Sequence, residues 1–455
     1  MTLSEYISAI KNKRITVIGI GVSNIPLIKK LAENGCSVTA CDKREKSGIA
    51  VADELEKLGV KLSLGEAYLD DIQADIIFRT PGIRPDLPQI DKAVKAGAEL
   101  TSEMEVFFKV CPCEIIGITG SDGKTTTTTL ISELLKAEGR TVHIGGNIGT
   151  PLLCSADEMG KEDIAVVELS SFQLMTMKQG SHTAVVTNLS PNHLDVHKNM
   201  EEYVDAKRNI CIGNSMTVLN LDNDITADFA KDLSGKVRFF SMKKAVENGV
   251  YCEDEKIYAV RDGEREYVLD TADIKIPGRH NIENYMAAYA AVMDHVSAKT
   301  LKKVAMEFGG VAHRIEFVRE FDGVKYYNDS IASSPSRTIA GLKSFNQKLV
   351  LIAGGKDKGV PFDELGDEVV KRVKKLVVTG YTKEKIYEAV VNAAEYRGEP
   401  EIHVIEDFKE AVLKAREIAE DGDIVILSPA CTSFDKFKNF EDRGNTFKRI
   451  VLEME

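Results

Sequence analysis

Residues 114–139 limit the possible folds of this chain more than any other segment. They read EIIGITGSDGKTTTTTLISELLKAEG. The β-branched run at 115–118 predicts a buried strand that breaks at Gly120, and apolar residues at helical spacing from Leu130 onward predict a helix after the break. A strand, a glycine-containing loop and a helix in immediate succession are typical of α/β proteins that bind nucleotides.

The loop between this strand and this helix has the composition of a phosphate-binding site. Its glycines allow backbone N–H groups to turn toward an anion, and the positive end of the helix dipole lies at the same place. Lys124 can reach the outer phosphates of a nucleotide, and the Thr125 hydroxyl can ligate the accompanying Mg²⁺. A glycine turn that only caps a helix is the alternative, but the Lys-Thr pair in this register favours nucleotide binding.

Length and composition narrow the class of protein. A chain of 455 residues is expected to form about three domains. A net charge of -12 argues against a nucleic-acid partner held through phosphate contacts. The sequence has neither a signal-peptide core at its start nor a run of 18 apolar residues, so we expect a cytoplasmic protein without a membrane partner.

The cysteines give no sign of a metal or disulfide framework. Eight are scattered along the chain, and only Cys111 and Cys113 lie close together in sequence. This pair lacks C-x-x-C spacing and a second pair that would complete a zinc site. We therefore predict buried thiols in a reducing compartment.

The N-terminal region has the pattern of a nucleotide-binding βαβ unit. A strand at 15–18 is followed by Gly19-Ile20-Gly21, a helix, and a second strand that ends at Asp42. Asp42 stands at the spacing of a ribose contact, but Asn24 replaces the third glycine of the dinucleotide fingerprint. NAD is one possible ligand, and the uridine or diphosphate of a nucleotide-linked substrate is the other.

Four polar residues of the central region are open to more than one interpretation. Glu168 ends the hydrophobic strand predicted at 163–169, where it can hold Mg²⁺ beside the phosphate loop or simply face water. His193 and His197 are spaced like metal ligands, but a single histidine is more often structural, and imidazole suits zinc better than magnesium. Lys207 lies on a predicted amphipathic helix at 200–212, where spacing alone indicates only a solvated charge.

From residue 311 onward, strands and helices alternate again, which predicts another doubly wound sheet. The predicted fold class is α/β with three domains: an N-terminal Rossmann-like domain, a central domain with a mostly parallel sheet like that of phosphate-loop ATPases, and a C-terminal Rossmann-like domain. The predicted boundaries are 1–102, 103–310 and 311–455. Polar residues that follow the strand ends, such as Asp329 and the segment 428–434, are expected to carry function.

The chain also resembles a known family. Residues 427–448, LSPACTSFDKFKNFEDRGNTFK, are similar to the C-terminal signature of the Mur ligases that add D-glutamate. The shortened loop, G-T/S-x-G-K-S/T, is similar to that of ATP-dependent amino-acid ligases. Further motifs follow in the family's order: GGNIG, VELSSFQL, NLSPNHLDVH, DAKRNI, GRHNIENYMAA, GVAHRIEFV, NDS and AGGKDKG.

The resemblance implies an activity. It is the ATP-dependent joining of D-glutamate to UDP-N-acetylmuramoyl-L-alanine through an acyl phosphate, in bacterial peptidoglycan precursor synthesis and hence in cell-wall growth and division. It further implies a cytoplasmic monomer whose partners are these small molecules. A different amide ligase, such as a folylpolyglutamate synthetase, and a catalytically silent nucleotide-binding scaffold are the alternatives.

The resemblance also assigns residues to each ligand. For ATP they are Gly120, Ser121, Asp122, Gly123, Lys124, Thr125, Thr126, Asn281, Asn284, Arg314 and Asp329. For two Mg²⁺ ions they are Thr125, Glu168, His193 and Lys207, the last as a carbamate formed with CO₂, and Lys124, Glu168, His193 and Lys207 form the catalytic set. For the UDP-linked substrate they are Val22, Ser23, Asp42, Lys43, Arg44, Gly82 and Asn147, and for D-glutamate they are Ser333, Lys358, Ser433 and Phe440.

One position departs from the family pattern. The pattern K-A-T-N after N-D-S is here Ile331-Ala332-Ser333-Ser334, so a lysine beside the phosphate site is missing and serine replaces threonine. Ser333 keeps a hydroxyl for the amino acid. Lys356 is one candidate to replace the missing charge, and the alternative is that nothing replaces it.

Overall fold

The computed structural model describes residues 1–194 and 196–455 and confirms the predicted α/β class. Asp195, a member of the NLSPNHLDVH motif, lies outside the described residues. The chain forms two compact units, the first comprising Met1–Thr271 with Glu283–Val304 and the second Ala272–Ile282 with Ala305–Glu455. Three separate sheets are present among the described residues.

The first sheet is wholly parallel and has the strand order β3-β2-β1-β4-β5. Its strands are β1 (Arg14–Ile18), β2 (Ser37–Asp42), β3 (Lys61–Leu64), β4 (Ile76–Arg79) and β5 (Glu99–Thr101). The accompanying helices are α1 (Leu3–Ile10), α2 (Asn24–Glu33), α3 (Ala52–Lys57), α4 (Pro88–Lys95) and α5 (Glu103–Val110). From β1, the chain adds β2 and β3 on one side and β4 and β5 on the other. The loops after β1, β2 and β4 therefore lie together at the carboxyl edge of the sheet, where open α/β sheets bind ligands.

The second sheet has nine strands in the order β14-β13-β12-β11-β10-β9-β6-β8-β7. They are β6 (Glu114–Thr119), β7 (Val142–Gly146), β8 (Ile164–Glu168), β9 (Thr183–Val186), β10 (Met216–Asn220), β11 (Lys236–Ser241), β12 (Gly249–Glu253), β13 (Lys256–Arg261) and β14 (Glu264–Asp270). Among the described residues, the antiparallel pairs of this sheet are β12–β13 and β13–β14. The helices in this part of the chain are α6 (Lys124–Ala137), α7 (Ser171–Leu174), α8 (Met200–Arg208), α9 (Asp224–Phe229), α10 (Arg279–Val292) and α11 (Ala298–Glu307).

One hydrophobic core runs through the first two sheets. It joins Val17 and Phe78 of the first sheet to Phe107 of α5 and to Ile115 and Val167 of the second. Phe107 is fully buried, and burial of such a ring contributes about 1.5–3 kcal/mol. This shared core explains why both sheets belong to the same compact unit.

The third sheet has the order β15-β16-β20-β17-β18-β19 and is parallel except for the β15–β16 pair. Its strands are β15 (Glu316–Phe321), β16 (Val324–Asn328), β17 (Leu349–Gly354), β18 (Val373–Thr379), β19 (Glu401–Val404) and β20 (Ile424–Leu427). Its helices are α12 (Pro335–Leu342), α13 (Asp363–Arg372), α14 (Lys383–Val391), α15 (Phe408–Ile418) and α16 (Phe440–Leu452). Leu349 and Leu351 of β17 enter one hydrophobic cluster, whereas Val350 and Ile352 enter another, so helices cover both faces as predicted.

Candidate active site

The loop after β6 has a backbone conformation that depends on glycine. Gly123 has φ +79°, in the left-handed region, and directly precedes α6. A Cβ atom at Gly123 would collide with the side-chain oxygen of Asn284, and one at Gly120 would collide with the Thr187 hydroxyl. Only glycine fits at these two places, so the loop is fixed in shape by its neighbours.

The end of β9 holds the loop in place. Asn188 accepts the Ser121 N–H through its backbone carbonyl at 2.8 Å and the Asp122 N–H through its side-chain oxygen at 3.0 Å. The Thr187 hydroxyl donates to the Asp122 carbonyl at 2.6 Å. The Ser121 hydroxyl also lies 2.8 Å from the Tyr203 hydroxyl of α8. These contacts pre-organise the backbone that is predicted to receive phosphate oxygens.

Two lysines converge on this loop. Lys124 Nζ donates to the carbonyls of Gly120 and Ser121, both at 2.8 Å. Lys207 Nζ donates to the same Gly120 carbonyl at 2.8 Å and to the Thr119 hydroxyl at 3.0 Å. Both amine groups thus lie on one carbonyl of the loop that is predicted to bind a polyphosphate.

Burial lowers the pKa of Lys207. The residue is only 2% exposed, and this burial, together with the nearby charge of Lys124, places its pKa well below the ordinary value for lysine. The charges of Glu168 and Asp122 oppose the shift. A lowered pKa favours the neutral amine, which is the form of lysine that can add CO₂, so the site is chemically suited to the carbamate that the resemblance implies.

Glu168 ends β8 beside the loop. It is 1% exposed, and its two carboxylate oxygens accept the Thr125 hydroxyl at 2.7 Å and the Asn147 amide at 2.9 Å. Carboxylate and hydroxyl oxygens suit Mg²⁺, which in nucleotide sites uses few protein ligands and takes the rest from phosphates and water. The described residues contain no cluster of three or more His, Cys, Asp or Glu side chains that could hold a metal by themselves. The donor set therefore fits Mg²⁺ bound together with a nucleotide.

The two histidines differ in environment. His193 has a left-handed backbone, with φ 55°, and its ring meets the Phe172 ring edge-on at 5.2 Å. His197 is 2% exposed, stacks in parallel on Phe172, and places Nε2 at 2.9 Å from the Ser171 hydroxyl. Burial lowers the pKa of His197. His197 thus has the environment of a packed structural histidine, and the metal role remains a prediction for His193.

In the first sheet, the predicted UDP-binding residues occur at the edge formed by the ends of β1, β2 and β4. Asp42 accepts the Ile20 N–H at 2.8 Å and both the backbone N–H and the Nε of Arg44 at 2.9 Å. The Arg44 hydrogen bonds lower the pKa of Asp42 to about 2, so this carboxylate is ionised at neutral pH. The others follow the same strand ends: Val22 and Ser23 after β1, Lys43 after β2, and Gly82 after β4.

Asn24 explains the missing third glycine. Its side-chain amide donates to the Gly19 carbonyl at 2.9 Å and to the Ile18 carbonyl at 3.3 Å. The side chain thus closes the loop after β1, where the dinucleotide fingerprint would have no side chain. Asn24 in place of the third glycine thus stabilises the loop through its side chain, within the same βαβ unit.

In the second unit, Asp329 follows β16 and is deeply buried. It accepts the Ser428 hydroxyl at 2.7 Å and the Ile315 N–H at 3.3 Å. Burial raises its pKa to about 7, against the opposing charges of Arg314 and Arg337. A carboxylic acid poised near neutrality is a group whose charge responds to a bound cation or ligand.

Arg443 is a functional candidate that the sequence analysis did not single out. This 2% exposed residue donates to the Ser330 hydroxyl at 3.0 Å and to the carbonyls of Ser330 and Cys431 at 2.9 and 3.1 Å. It joins the loops that follow β16 and β20. Its only signal in the sequence was its place within the motif at 427–448, since its partners are far away along the chain.

The predicted D-glutamate residues surround these two loops. Lys358 Nζ donates to the Ser333 hydroxyl at 3.3 Å. Phe440, the first residue of α16, accepts the Ser330 hydroxyl through its carbonyl at 2.8 Å. Ser433 is buried in the loop after β20 and accepts the Phe437 N–H at 2.9 Å.

The structure places the remaining predictions individually. Asn284 accepts the Thr127 hydroxyl at 3.3 Å, and the Asn281 amide donates to the Pro277 carbonyl at 2.6 Å. The backbone N–H of Arg314 donates to Val311 at 3.0 Å. Lys356 is exposed, and its backbone pairs with Thr432 in an antiparallel bridge.

The fold and the loop define an α/β nucleotide-binding protein of the phosphate-loop class. The chain belongs to the Mur ligase family, as the motifs predicted. Residues 118–292 match the Mur ligase middle domain, 313–431 match the Mur ligase glutamate ligase domain, and 13–102 match the MurD-like N-terminal domain of Mur ligases.

Relatives match nearly the whole chain. It is 52% identical to the UDP-N-acetylmuramoylalanine–D-glutamate ligase of Ruminiclostridium cellulolyticum, over 99% of this chain and 98% of that protein. It is also 52% identical to the ligase of the same name from Clostridium novyi, over 99% of both chains. The ligase of that name from Acetivibrio thermocellus is 51% identical over 100% of this chain and 99% of its own length.

Solved structures share the fold at much lower identity. The UDP-N-acetylmuramate–alanine ligase MurC of Thermotoga maritima aligns with a TM-score of 0.57 at 18% identity, over 98% of this chain and 100% of that one. A pseudomurein peptide ligase type C of Methanothermus fervidus aligns with a TM-score of 0.53 at 20% identity and the same coverage. At this identity the likeness concerns the fold alone. Within the part of the chain that the structure describes, no helix is long and apolar enough to cross a membrane.

Proposed function

We propose that this protein is the ATP-dependent ligase that joins D-glutamate to UDP-N-acetylmuramoyl-L-alanine, giving the amide, ADP and phosphate. The observation that carries the proposal is the full-length identity of 52% to relatives that bear this activity in their name. The arrangement of Lys124, Glu168 and Lys207 around one phosphate loop supports it, because a silent scaffold has no need of two amines and a buried carboxylate at that place.

The chemistry requires activation of a carboxylate. A carboxylate resists attack by an amine because its charge repels nucleophiles and oxide is a poor leaving group. Transfer of the γ-phosphoryl group of ATP to the substrate carboxylate gives an acyl phosphate and ADP. The amine of D-glutamate then attacks the acyl carbon, phosphate leaves with the electrons of the broken C–O bond, and the nitrogen loses a proton.

Lys124 has the first electrostatic role in this scheme. Two anions must approach each other during phosphoryl transfer, so the site must stabilise negative charge that spreads over the phosphate oxygens. In the proposal, Lys124 leaves the carbonyls of its own loop and contacts the outer phosphates. The ATP-binding set further comprises Gly120, Ser121, Asp122, Gly123, Thr125, Thr126, Asn281, Asn284, Arg314 and Asp329.

Two Mg²⁺ ions are proposed beside the phosphates. When bound, they supply positive charge that neutralises the phosphate oxygens during transfer. Thr125 and Glu168 would hold one ion, and His193 and carbamylated Lys207 would contribute to the second. The carbamate gives Lys207 a negative charge, so the residue attracts a cation instead of repelling it.

The substrate sites follow from the strand ends. Ionised Asp42, with Val22, Ser23, Lys43, Arg44 and Gly82, is proposed to bind the uridine and diphosphate, and Asn147 the muramyl part. Ser333, Lys358, Ser433 and Phe440 are proposed to bind D-glutamate, whose two carboxylates require donors of this kind. We propose domain boundaries at 1–102, 103–310 and 311–455, and a cytoplasmic monomer.

The decisive experiment measures phosphate release from ATP in the presence of UDP-N-acetylmuramoyl-L-alanine with D-glutamate, with L-glutamate, or with no amino acid. We expect release only with D-glutamate, and none from Lys124→Ala under the same conditions. Release with a folate and L-glutamate instead would move the protein to the folylpolyglutamate class. No release with any combination would favour the silent scaffold.

A further inference from the structure

Arg84 makes an unusually complete set of contacts for a residue outside every predicted site. It lies in the loop between β4 and α4, and its Nη2 and Nη1 donate to the two carboxylate oxygens of Glu202 at 2.8 and 3.0 Å. Nη1 also donates to the Val196 carbonyl at 2.6 Å. A two-point contact between guanidinium and carboxylate fixes direction as well as distance.

The contacts of Arg84 lead directly to His193. The backbone N–H groups of Val196 and His197 donate to the His193 carbonyl at 3.1 and 2.9 Å. The rings of both histidines pack on Phe172. Arg84 therefore holds, through Val196, the backbone that sets where the His193 imidazole lies.

The contacts of Arg84 also lead to the helix that carries Lys207. Glu202 lies in the first turn of α8, and Lys207 lies in its last turn. Because an α-helix is a stiff rod over so short a length, a fixed first turn also fixes the direction of the last. Arg84 thus helps to position both predicted metal ligands, His193 and Lys207.

Further contacts fix the position of Arg84 itself. Arg84 donates from Nε and Nη2 to Asp86 at 2.8 and 2.9 Å, and Lys198 Nζ contacts Asp86 at 2.9 Å. Arg79, which is 1% exposed, stabilises the loop between β4 and Arg84 by donating to the Ile83 carbonyl at 2.5 Å. It also donates to the Phe172 carbonyl at 2.9 Å. The contacts with Asp86 and the hydrogen bonds of Arg79 within the loop therefore restrict the position of the Arg84 guanidinium.

We propose that Arg84 is a positioning residue for the metal site: it sets the placement of His193 and α8 and so raises the affinity for divalent cations without touching them. This inference rests on the proposed function, since that function assigns the metal to His193 and Lys207. Groups that orient metal ligands typically change metal affinity about 10- to 100-fold when they are removed.

The test is Mn²⁺ binding to the full chain in the presence of ADP, with free Mn²⁺ measured by electron paramagnetic resonance against an ADP blank. We expect Arg84→Gln to weaken Mn²⁺ binding about 10-fold. Arg14→Gln is the matched control, because Arg14 makes a similar two-point contact with Asp75 at the opposite edge of the first sheet. That control should bind Mn²⁺ like the unchanged protein.

Two further readouts separate positioning from general destabilisation. In the phosphate-release assay, the Mg²⁺ concentration for half-maximal rate should rise about 10-fold in Arg84→Gln, while kcat at saturating Mg²⁺ stays within about threefold. Glu202→Gln should weaken Mn²⁺ binding less than Arg84→Gln does, because it leaves the contact between Arg84 and Val196 in place. The double variant should be no worse than Arg84→Gln, since that variant already lacks the contact with Glu202.

The outcomes distinguish this inference from the proposed function. Mn²⁺ affinity within twofold of the unchanged protein in Arg84→Gln, or an equal loss in Arg14→Gln, would overturn the positioning role. Absence of Mn²⁺ binding in the unchanged protein would overturn it too, because no metal site would remain to be positioned. Normal Mn²⁺ results without D-glutamate-dependent phosphate release would reject the proposed activity and leave Arg84 as a determinant of cation binding.

Discussion

Lys207 shows how strongly a residue's chemistry depends on its surroundings. On its helix it looks like one of several surface charges, yet the fold buries it against the Gly120 carbonyl and beside Lys124. An ammonium ion in that position is opposed by desolvation and by like charge. Conversion to a carbamate reverses the sign of the charge and removes both conflicts when a cation is present.

A short carboxylate should therefore substitute for the modified side chain. We expect Lys207→Ala to lose almost all D-glutamate-dependent phosphate release, because no anion then completes the second cation site. Acetate at high concentration should restore part of the rate by occupying the space left by the side chain. Chloride at equal ionic strength is the control, and equal rates in acetate and chloride would argue against the carbamate.

Other residues of the site could not be identified from their sequence positions. Arg443 and its partner Ser330 are 113 residues apart, and Arg84 and Glu202 are 118 apart. Local periodicity contains no information about such pairs. The assignments of His193 and Lys207 likewise came from resemblance to a family, because spacing alone left them open, and they stay predictions.

Among the helices and strands, the position of a strand could be predicted from the sequence where apolar residues fill nearly the whole strand. The hydrophobic run predicted at 163–169 is β8, and the run predicted from Leu349 is β17. Boundaries were less certain where ends are set by capping. The helix predicted over 200–212 is α-helical only to Arg208 and then tightens into a 3₁₀ turn, Asn209–Cys211, which satisfies part of its terminal carbonyls.

The two ends of α6 provide a matched pair of glycines for testing the phosphate loop. Gly123 precedes the helix with φ +79°, and Gly139 follows it with φ +82°. A Cβ at Gly123 meets the Asn284 side chain, whereas one at Gly139 has nothing within 4 Å. Alanine at either position has the same backbone strain of about 1–2 kcal/mol.

The difference between the two variants therefore isolates the contact with Asn284. We expect Gly139→Ala to lower the urea-unfolding midpoint modestly and to leave phosphate release near normal. Gly123→Ala should lower the midpoint further and reduce phosphate release at least 10-fold, because either the loop or the Asn284 side chain, both in the proposed ATP site, must shift to accommodate the methyl group. Equal activity in the two variants would show that the loop tolerates this shift.

At the scale of the whole molecule, the first two sheets are joined by a core that contains an ionisable group. Glu103, in the first turn of α5, is 7% exposed, and its carboxyl accepts the Leu153 N–H at 3.0 Å. Burial raises its pKa to about 7. The folded protein thus holds a proton on Glu103 at pH values where the unfolded chain has lost it.

The sign of the effect on stability follows from this difference. Between the ordinary glutamate pKa and about 7 the folded state binds more protons, so the free energy of unfolding falls as pH rises through this window. Glu103→Gln keeps an oxygen for the Leu153 N–H but cannot ionise. Its stability relative to the unchanged protein should therefore rise with pH, by on the order of 3 kcal/mol in total, and level off above about pH 7. Urea-unfolding midpoints from pH 4.5 to 8 measure this difference in stability. Glu66→Gln, at an exposed position, is the control for loss of a surface charge. A difference between Glu103→Gln and the unchanged protein that stays constant with pH would show that Glu103 is ionised in the core.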